Sequence, residues 1–198
     1  MKVILASQSA RRRDILENLG IKFDIKVSRV DESMDPHISA GENVEAVSLR
    51  KAMAVETELG ILPEDDTLII ASDTVVVCDG AILGKPRDKA HATEMMRMLS
   101  GRRHSVISGI AVIYRGKRIS AHEETEVEFR ALSDSDIEAY VSTDEPYDKA
   151  GGYGIQDKAS VFVRGIHGDY LNVVGLPVFR LFQLLETEFG INYFEISK

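Results

Sequence analysis

Thr67-Leu68-Ile69-Ile70-Ala71-Ser72-Asp73-Thr74-Val75-Val76-Val77-Cys78 is the most apolar run of the chain and reads as a central, doubly buried strand. Asp79-Gly80 then makes a turn that returns Ala81-Ile82-Leu83 as the second arm of a hairpin. Upstream, Val3-Ile4-Leu5-Ala6 reads as a short buried strand. Ser7-Gln8-Ser9 leads from it to a helix with Ile15, Leu16 and Leu19 on one face and Gly20 as its stop. Phe23, Ile25 and Val27 alternate with charged residues, which predicts a half-buried strand. A polar loop through Asp31, Glu32 and Pro36 precedes a helix ending near Gly60. Downstream, Asp88 caps a helix carrying Ala92, Met95, Met96 and Leu99, with Gly101 ending it. Strands over Ser105 to Tyr114 and Arg118 to Phe129 flank a turn at Arg115-Gly116-Lys117, and Ser133 with Asp136 opens another helix. Val161-Phe162-Val163 reads as a strand, and Pro177 starts a final helix bearing Phe179, Phe182, Leu185 and Phe189. Strands and helices are interspersed, so the class is α/β with a mixed sheet.

The composition sets bounds on partners. At 198 residues, 44% hydrophobic and 28% charged, the chain is long enough for one domain with a full core. Its formal charge of −8 argues against broad nucleic-acid binding, which needs a basic face. A small anionic ligand needs only a local basic pocket. Cys78, the sole cysteine, rules out an intrachain disulfide and lies in an apolar run, as a core residue would. The apolar stretch after Met1-Lys2 is too short for a signal-peptide core, and no run nears the roughly 18 residues of a membrane span. A cytoplasmic location is expected.

Several residues break local rules. Asp73 places a carboxylate inside the central strand, where propensity disfavours it and burial without partners is expensive. It marks either a strand break facing water or a site that binds a metal or activates water. Arg11-Arg12-Arg13 occupies a first helical turn, whose partial positive charge prefers acidic residues. That placement suits a bound phosphate; the alternative is a solvated basic face with Asp14 and Glu17 nearby. Lys85 sits in the Gly84-Lys85-Pro86 turn, and Lys51 follows Arg50 on a helix; each alone reads as an ordinary solvated cation. Asp31-Glu32 is a plain loop pair, of interest only because magnesium needs carboxylate oxygens. Asp148-Lys149-Ala150-Gly151-Gly152-Tyr153-Gly154-Ile155-Gln156 combines charge, flexible backbone, an aromatic ring and an amide, parts suited to phosphate and base contact. The glycines alone are weak, since neither G-x-G-x-x-G nor G-x-x-x-x-G-K-[ST] is present. Zinc spacing and a G-x-S-x-G elbow are also missing.

Taken in order, Leu5-Ala6-Ser7-Gln8-Ser9-Ala10-Arg11-Arg12, Val30-Asp31-Glu32, Lys51-Ala52, Ser72-Asp73-Thr74, Gly84-Lys85-Pro86, Leu99-Ser100-Gly101, Asp148-Lys149-Ala150-Gly151, Gly154-Ile155-Gln156 and Gly175-Leu176-Pro177 resemble the Maf family of nucleotide pyrophosphatases along nearly the whole chain. The resemblance implies a single domain over residues 1–198. Its fold would be an elongated mixed sheet flanked by helices, in two lobes with a cleft, similar to inosine triphosphate pyrophosphatases. It implies hydrolysis of a nucleoside triphosphate to the monophosphate and pyrophosphate with a divalent cation, Mg2+ or Mn2+, and a homodimer. By the same likeness Asp73 is the acid-base residue and, with Glu32, a metal ligand. Arg12, Arg13, Lys51 and Lys85 would neutralise phosphates, and Ser7, Arg11, Thr74, Asp148, Lys149 and Gln156 complete the substrate contacts.

Arg11, Asp73-Thr74 and Gly154-Ile155-Gln156 look like the branch acting on dTTP, UTP and modified pyrimidine nucleotides. The branch acting on 7-methylguanosine triphosphate usually has glutamine where Thr74 stands and glutamate where Gln156 stands. Ala10 departs from the family's frequent proline at the helix start but removes no functional group. Two other classes stay open: a regulatory protein, tied to cell division, that senses triphosphates without turning them over, and nucleic-acid binding through the arginines, which the acidic charge disfavours. Whether Asp73 acts as base, ligand or both is left open by sequence.

Overall fold

The computed structural model describes residues 1–27 and 29–197. Its strands are β1 (Lys2–Leu5), β2 (Asp24–Ile25), β3 (Thr67–Cys78), β4 (Ala81–Leu83), β5 (Arg103–Tyr114), β6 (Lys117–Phe129) and β7 (Val163–His167). The helices are α1 (Ala10–Asn18), α2 (Ala40–Leu59), α3 (Lys89–Leu99), α4 (Asp134–Val141), α5 (Tyr170–Val174), α6 (Val178–Phe189) and α7 (Tyr193–Ile196). All seven strands join one sheet in the order β2-β1-β3-β5-β6-β7, with β4 on β3. It is mixed: β1 runs parallel to β2 and β3, whereas β4 opposes β3 and β7 opposes β6. The α/β class read from the sequence holds.

The chain divides into two compact units. The first comprises Met1–Asp73, Ser108–Glu123 and Gly175–Lys198, and the second Thr74–Ile107 and Glu124–Val174. In the first, Ile4, Ile69, Ala71, Ala111 and Ile113 from the sheet, with Ala6 just after β1, pack on Ala52 and Val55 of α2. A capping box between Ser39 and Glu42 starts that helix and a left-handed Gly60 ends it. The helix lies very close to β5: a Cβ on Gly109 would stand 2.4 Å from the Val44 carbonyl carbon and oxygen. Only glycine permits that approach.

In the second unit, Met95, Met96 and Leu99 of α3 and Ile137, Tyr140 and Val141 of α4 pack with Phe129, Tyr153 and Phe162. Cys78 is buried in the same cluster, and burial pushes its thiol pKa up. Asp88 caps α3 and a Ser133–Asp136 box caps α4, where the sequence put them. Asp79-Gly80 takes left-handed φ values of 50° and 79°, the combination a two-residue hairpin turn requires.

Three expectations need correction. The alternation over Phe23 to Val27 yields a strand of only Asp24–Ile25, with both residues exposed. Val161 is not in a strand: Lys158–Phe162 forms a 3₁₀ turn and β7 begins at Val163. Phe179, placed on the final helix, lies 74% exposed rather than in its apolar face. The short helices α5 and α7 have no counterpart in the sequence pattern. No helix among the described residues is long and apolar enough to cross a membrane.

Candidate functional site

β3 changes neighbours on one edge. Its first part pairs with β1, the last matched residues being Leu5 and Ile70, and pairing with β4 starts only at Val76. Ser72 and Asp73 fall in the gap between these ladders. A buried carbonyl there needs another donor, and the Arg12 Nη1 supplies it, donating to the Ser72 carbonyl at 2.8 Å. The same nitrogen reaches the Ser7 hydroxyl at 3.1 Å, and Nε donates to the Gly175 carbonyl at 2.8 Å. The Ser72 hydroxyl donates to the Gly175 carbonyl as well, at 3.0 Å. Arg12 thus ties the loop after β1, the gap in β3 and the turn before α6 into one frame. Burial lowers its pKa to about 10, partly offset by the charge of Asp73, and it stays cationic at neutral pH.

Asp73 finds the compensation that its position demands. Lys51 Nζ, reaching from α2, lies 2.7 Å from Asp73 Oδ1 and 3.2 Å from Glu32 Oε1. The lysine and the aspartate are nearly shielded, at 14% and 13% exposure, while Glu32 is 59% exposed. Glu32 is held by its loop: the Ser33 backbone N–H and hydroxyl both donate to Asp31, and Arg50 donates to the Ser33 carbonyl. Those bonds lower the Asp31 pKa. Lys51 stands two turns beyond Val44, so the contact at Gly109 also sets where its side chain starts.

The three consecutive arginines separate by helical rotation. Arg12 is buried as described, Arg11 is half-buried, and Arg13 is exposed and spends its guanidinium on Asp14 and Glu17. That last arrangement is the solvated basic face, realised by one arginine of the three. At the start of α1, Ser9 makes no side-chain cap and no acid stands in the first turn. Its amides remain suited to an anion.

Within the second unit, the Gly151 N–H donates to the Gly84 carbonyl at 3.0 Å, which joins the Lys85 turn to the glycine-rich loop. Lys85 and Gln156 are exposed, and Thr74, next along β3 after Asp73, is half-buried. Lys149 is buried and already committed, to Asp148 Oδ1 at 2.7 Å, the Glu145 carbonyl at 2.8 Å and Asp157 at 3.7 Å. It builds the loop. The sequence reading missed Ser72, Gly109 and Gly175 as site-builders. A serine and a glycine inside apolar strands were the available signals.

Two carboxylate oxygens that meet one cationic atom form a hard donor pair. Among the described residues no three His, Cys, Asp or Glu side chains converge as a metal cage. Two carboxylates suit magnesium, which keeps several waters and takes further ligands from substrate phosphates. Glu32 and Asp73 therefore fit such an ion.

The fold is shared with a solved structure, the Ham1 protein of Staphylococcus aureus, at a TM-score of 0.50 and 13% identity over 95% of this chain and 100% of that one. The class is thus an α/β protein of that architecture. The family described as "Maf-like protein" matches residues 2–188, and the chain belongs to it. Its relatives include proteins named "dTTP/UTP pyrophosphatase" from Moorella thermoacetica, 48% identical over 96% of both chains, and Bacillus anthracis, 44% identical over 96% of this chain and 97% of the relative.

Proposed function

We propose that the protein is a nucleoside triphosphate pyrophosphatase that cuts dTTP, UTP and related pyrimidine nucleotides to the monophosphate and pyrophosphate. The observation that carries this reading is the shielded Asp73, set in the gap of β3 beside Lys51 and framed by Arg12. The names of the relatives point to the same reaction and substrates.

In this reading Asp73 orients the water that attacks the α-phosphorus and takes its proton, and pyrophosphate leaves. Lys51 and Arg11 neutralise phosphate charge, Ser7 and the first turn of α1 add hydrogen bonds, and Arg12 keeps the frame in place. By the family resemblance Lys85 would contact phosphate, and Thr74 and Gln156 the base. Glu32 and Asp73 would hold a divalent cation. Bound there, it would supply charge neutralisation and a more acidic water, which a weakly basic carboxylate needs at neutral pH. Arg13, Asp148 and Lys149 are given no substrate contact in this reading and stand in local ion pairs.

The test is pyrophosphate release from dTTP, UTP, CTP, GTP and 7-methylguanosine triphosphate, with Mg2+ or Mn2+ and with chelator. Cation-dependent release from dTTP and UTP is expected. Release confined to the methylated guanine nucleotide would reject the pyrimidine assignment, and binding without release would favour a triphosphate sensor.

A further inference from the structure

We infer that the Lys51 ammonium is a resident cation that occupies the metal position of the nucleotide-free protein and leaves it only when a triphosphate offers a replacement partner. The inference rests on the two-carboxylate reading of the metal site. Nζ contacts both Asp73 and Glu32, at 2.7 and 3.2 Å, so the oxygens a divalent ion would use are already engaged. An ammonium at hydrogen-bond distance and an ion at about 2.1 Å cannot share one oxygen pair, because two positive charges would stand in near contact.

The cluster also carries no excess of negative charge. Asp73, Glu32 and Arg11 all act electrostatically on Arg12, so two carboxylates face the cations Lys51, Arg12 and Arg11, and no net negative field draws in a free metal ion. Arg12 cannot withdraw, since it is tied to Ser7, Ser72 and Gly175. Lys51 can. Its backbone is fixed beside Ala52, which is buried in the first core, while its side chain is held through its tip by the two carboxylates among the described residues. Phosphate oxygens accept the same ammonium hydrogens. A triphosphate therefore draws Lys51 off the carboxylates and frees them for the ion it brings. Cation and nucleotide bind with positive coupling, and the resting protein ignores free divalent ions.

The first experiment measures Mn2+ binding to the nucleotide-free full chain by electron paramagnetic resonance. Lys51→Met is expected to bind at least about tenfold more tightly than wild type, Lys51→Arg no more tightly, and Lys51→Met combined with Asp73→Asn to lose the gain. Wild type binding as tightly as Lys51→Met, with loss in Asp73→Asn, would overturn the inference while keeping the metal site. The second experiment needs no variant fold: it follows the Lys51 15Nζ resonance of wild type. Mg2+ alone should leave it in place, and Mg2+ with a non-hydrolysable α,β-methylene dTTP should shift it. A resonance unmoved when both have bound overturns the inference. Mg2+ that never binds, even with the analogue, overturns the metal reading beneath it as well.

Discussion

Around Asp73, in the first unit, shielded charges meet opposite charge or a carbonyl: Lys51 on Asp73 and Glu32, and Arg12 on Ser72 and Gly175. Around His104, in the second, a buried imidazole stays uncharged among rings. Its Nε2 shares a 2.7 Å hydrogen bond with the Tyr153 hydroxyl, Phe129 packs edge-on against it, and Nδ1 has no partner among the described residues. Burial pushes the His104 pKa down to about 4 and that of Tyr153 up. Charge kept shielded with partners nearby is poised for chemistry, whereas a polar ring buried without charge serves packing and makes the structure sensitive to acid.

The sharpest way to break this contrast is Asp73→Asn, which keeps the shape and removes the charge. It should cost at least about 10²-fold in kcat, with the folded state confirmed by circular dichroism. Near-normal turnover would remove Asp73 from the chemistry. Acid tests the other side. A histidine whose folded pKa lies below its unfolded value binds its proton first in the unfolded chain, so its stabilisation is complete above about pH 6.5. It is lost as pH falls toward 4, by about 3 kcal/mol in all. Urea unfolding at pH 7 and pH 5 should show most of that loss in wild type and little of it in His104→Phe. Equal pH dependence in both would assign the acid sensitivity elsewhere.

Packing gives the next largest effect. Gly109→Ala drives a methyl group into the Val44 backbone and should cost about 1–3 kcal/mol in stability. Activity should fall with it, because α2 carries Lys51. Gly165→Ala on β7 meets open space and serves as the control in thermal melts. The smallest effect is expected at Arg13→Gln, where exposed local ion pairs should change stability by no more than about 0.5 kcal/mol and leave kcat/KM within about twofold. A large loss there would return Arg13 to the phosphate contacts.

Much of the architecture was legible because it rests on local rules. The apolar run of β3, the Asp79-Gly80 turn and the caps at Asp88 and Ser133 each declare themselves within a few residues. The short elements did not. α5 and α7 span five and four residues, fewer than two helical turns, and leave no periodicity to read. The alternation at Phe23 to Val27 promised burial, but which side of a strand is covered depends on neighbours far away in sequence. The site divides in the same way. A carboxylate in an apolar strand signals a missing partner, yet Lys51 is 22 positions distant and, taken alone, looks like any surface lysine. The separate fates of Arg11, Arg12 and Arg13 follow from about 100° of rotation per residue, but choosing the inward one requires knowing where β3 lies.

Cys78 is the only thiol in the chain, and the second core covers it almost completely. With its sulfur shielded and its thiolate disfavoured, the protein should be silent toward maleimides and similar electrophiles. A cysteine introduced at an exposed position such as Ser160 would then carry a fluorophore or spin label alone, with no need to remove the natural one first. The packing that hides one sulfur atom leaves a chain ready for single-site spectroscopy, in which nucleotide capture could be followed in real time.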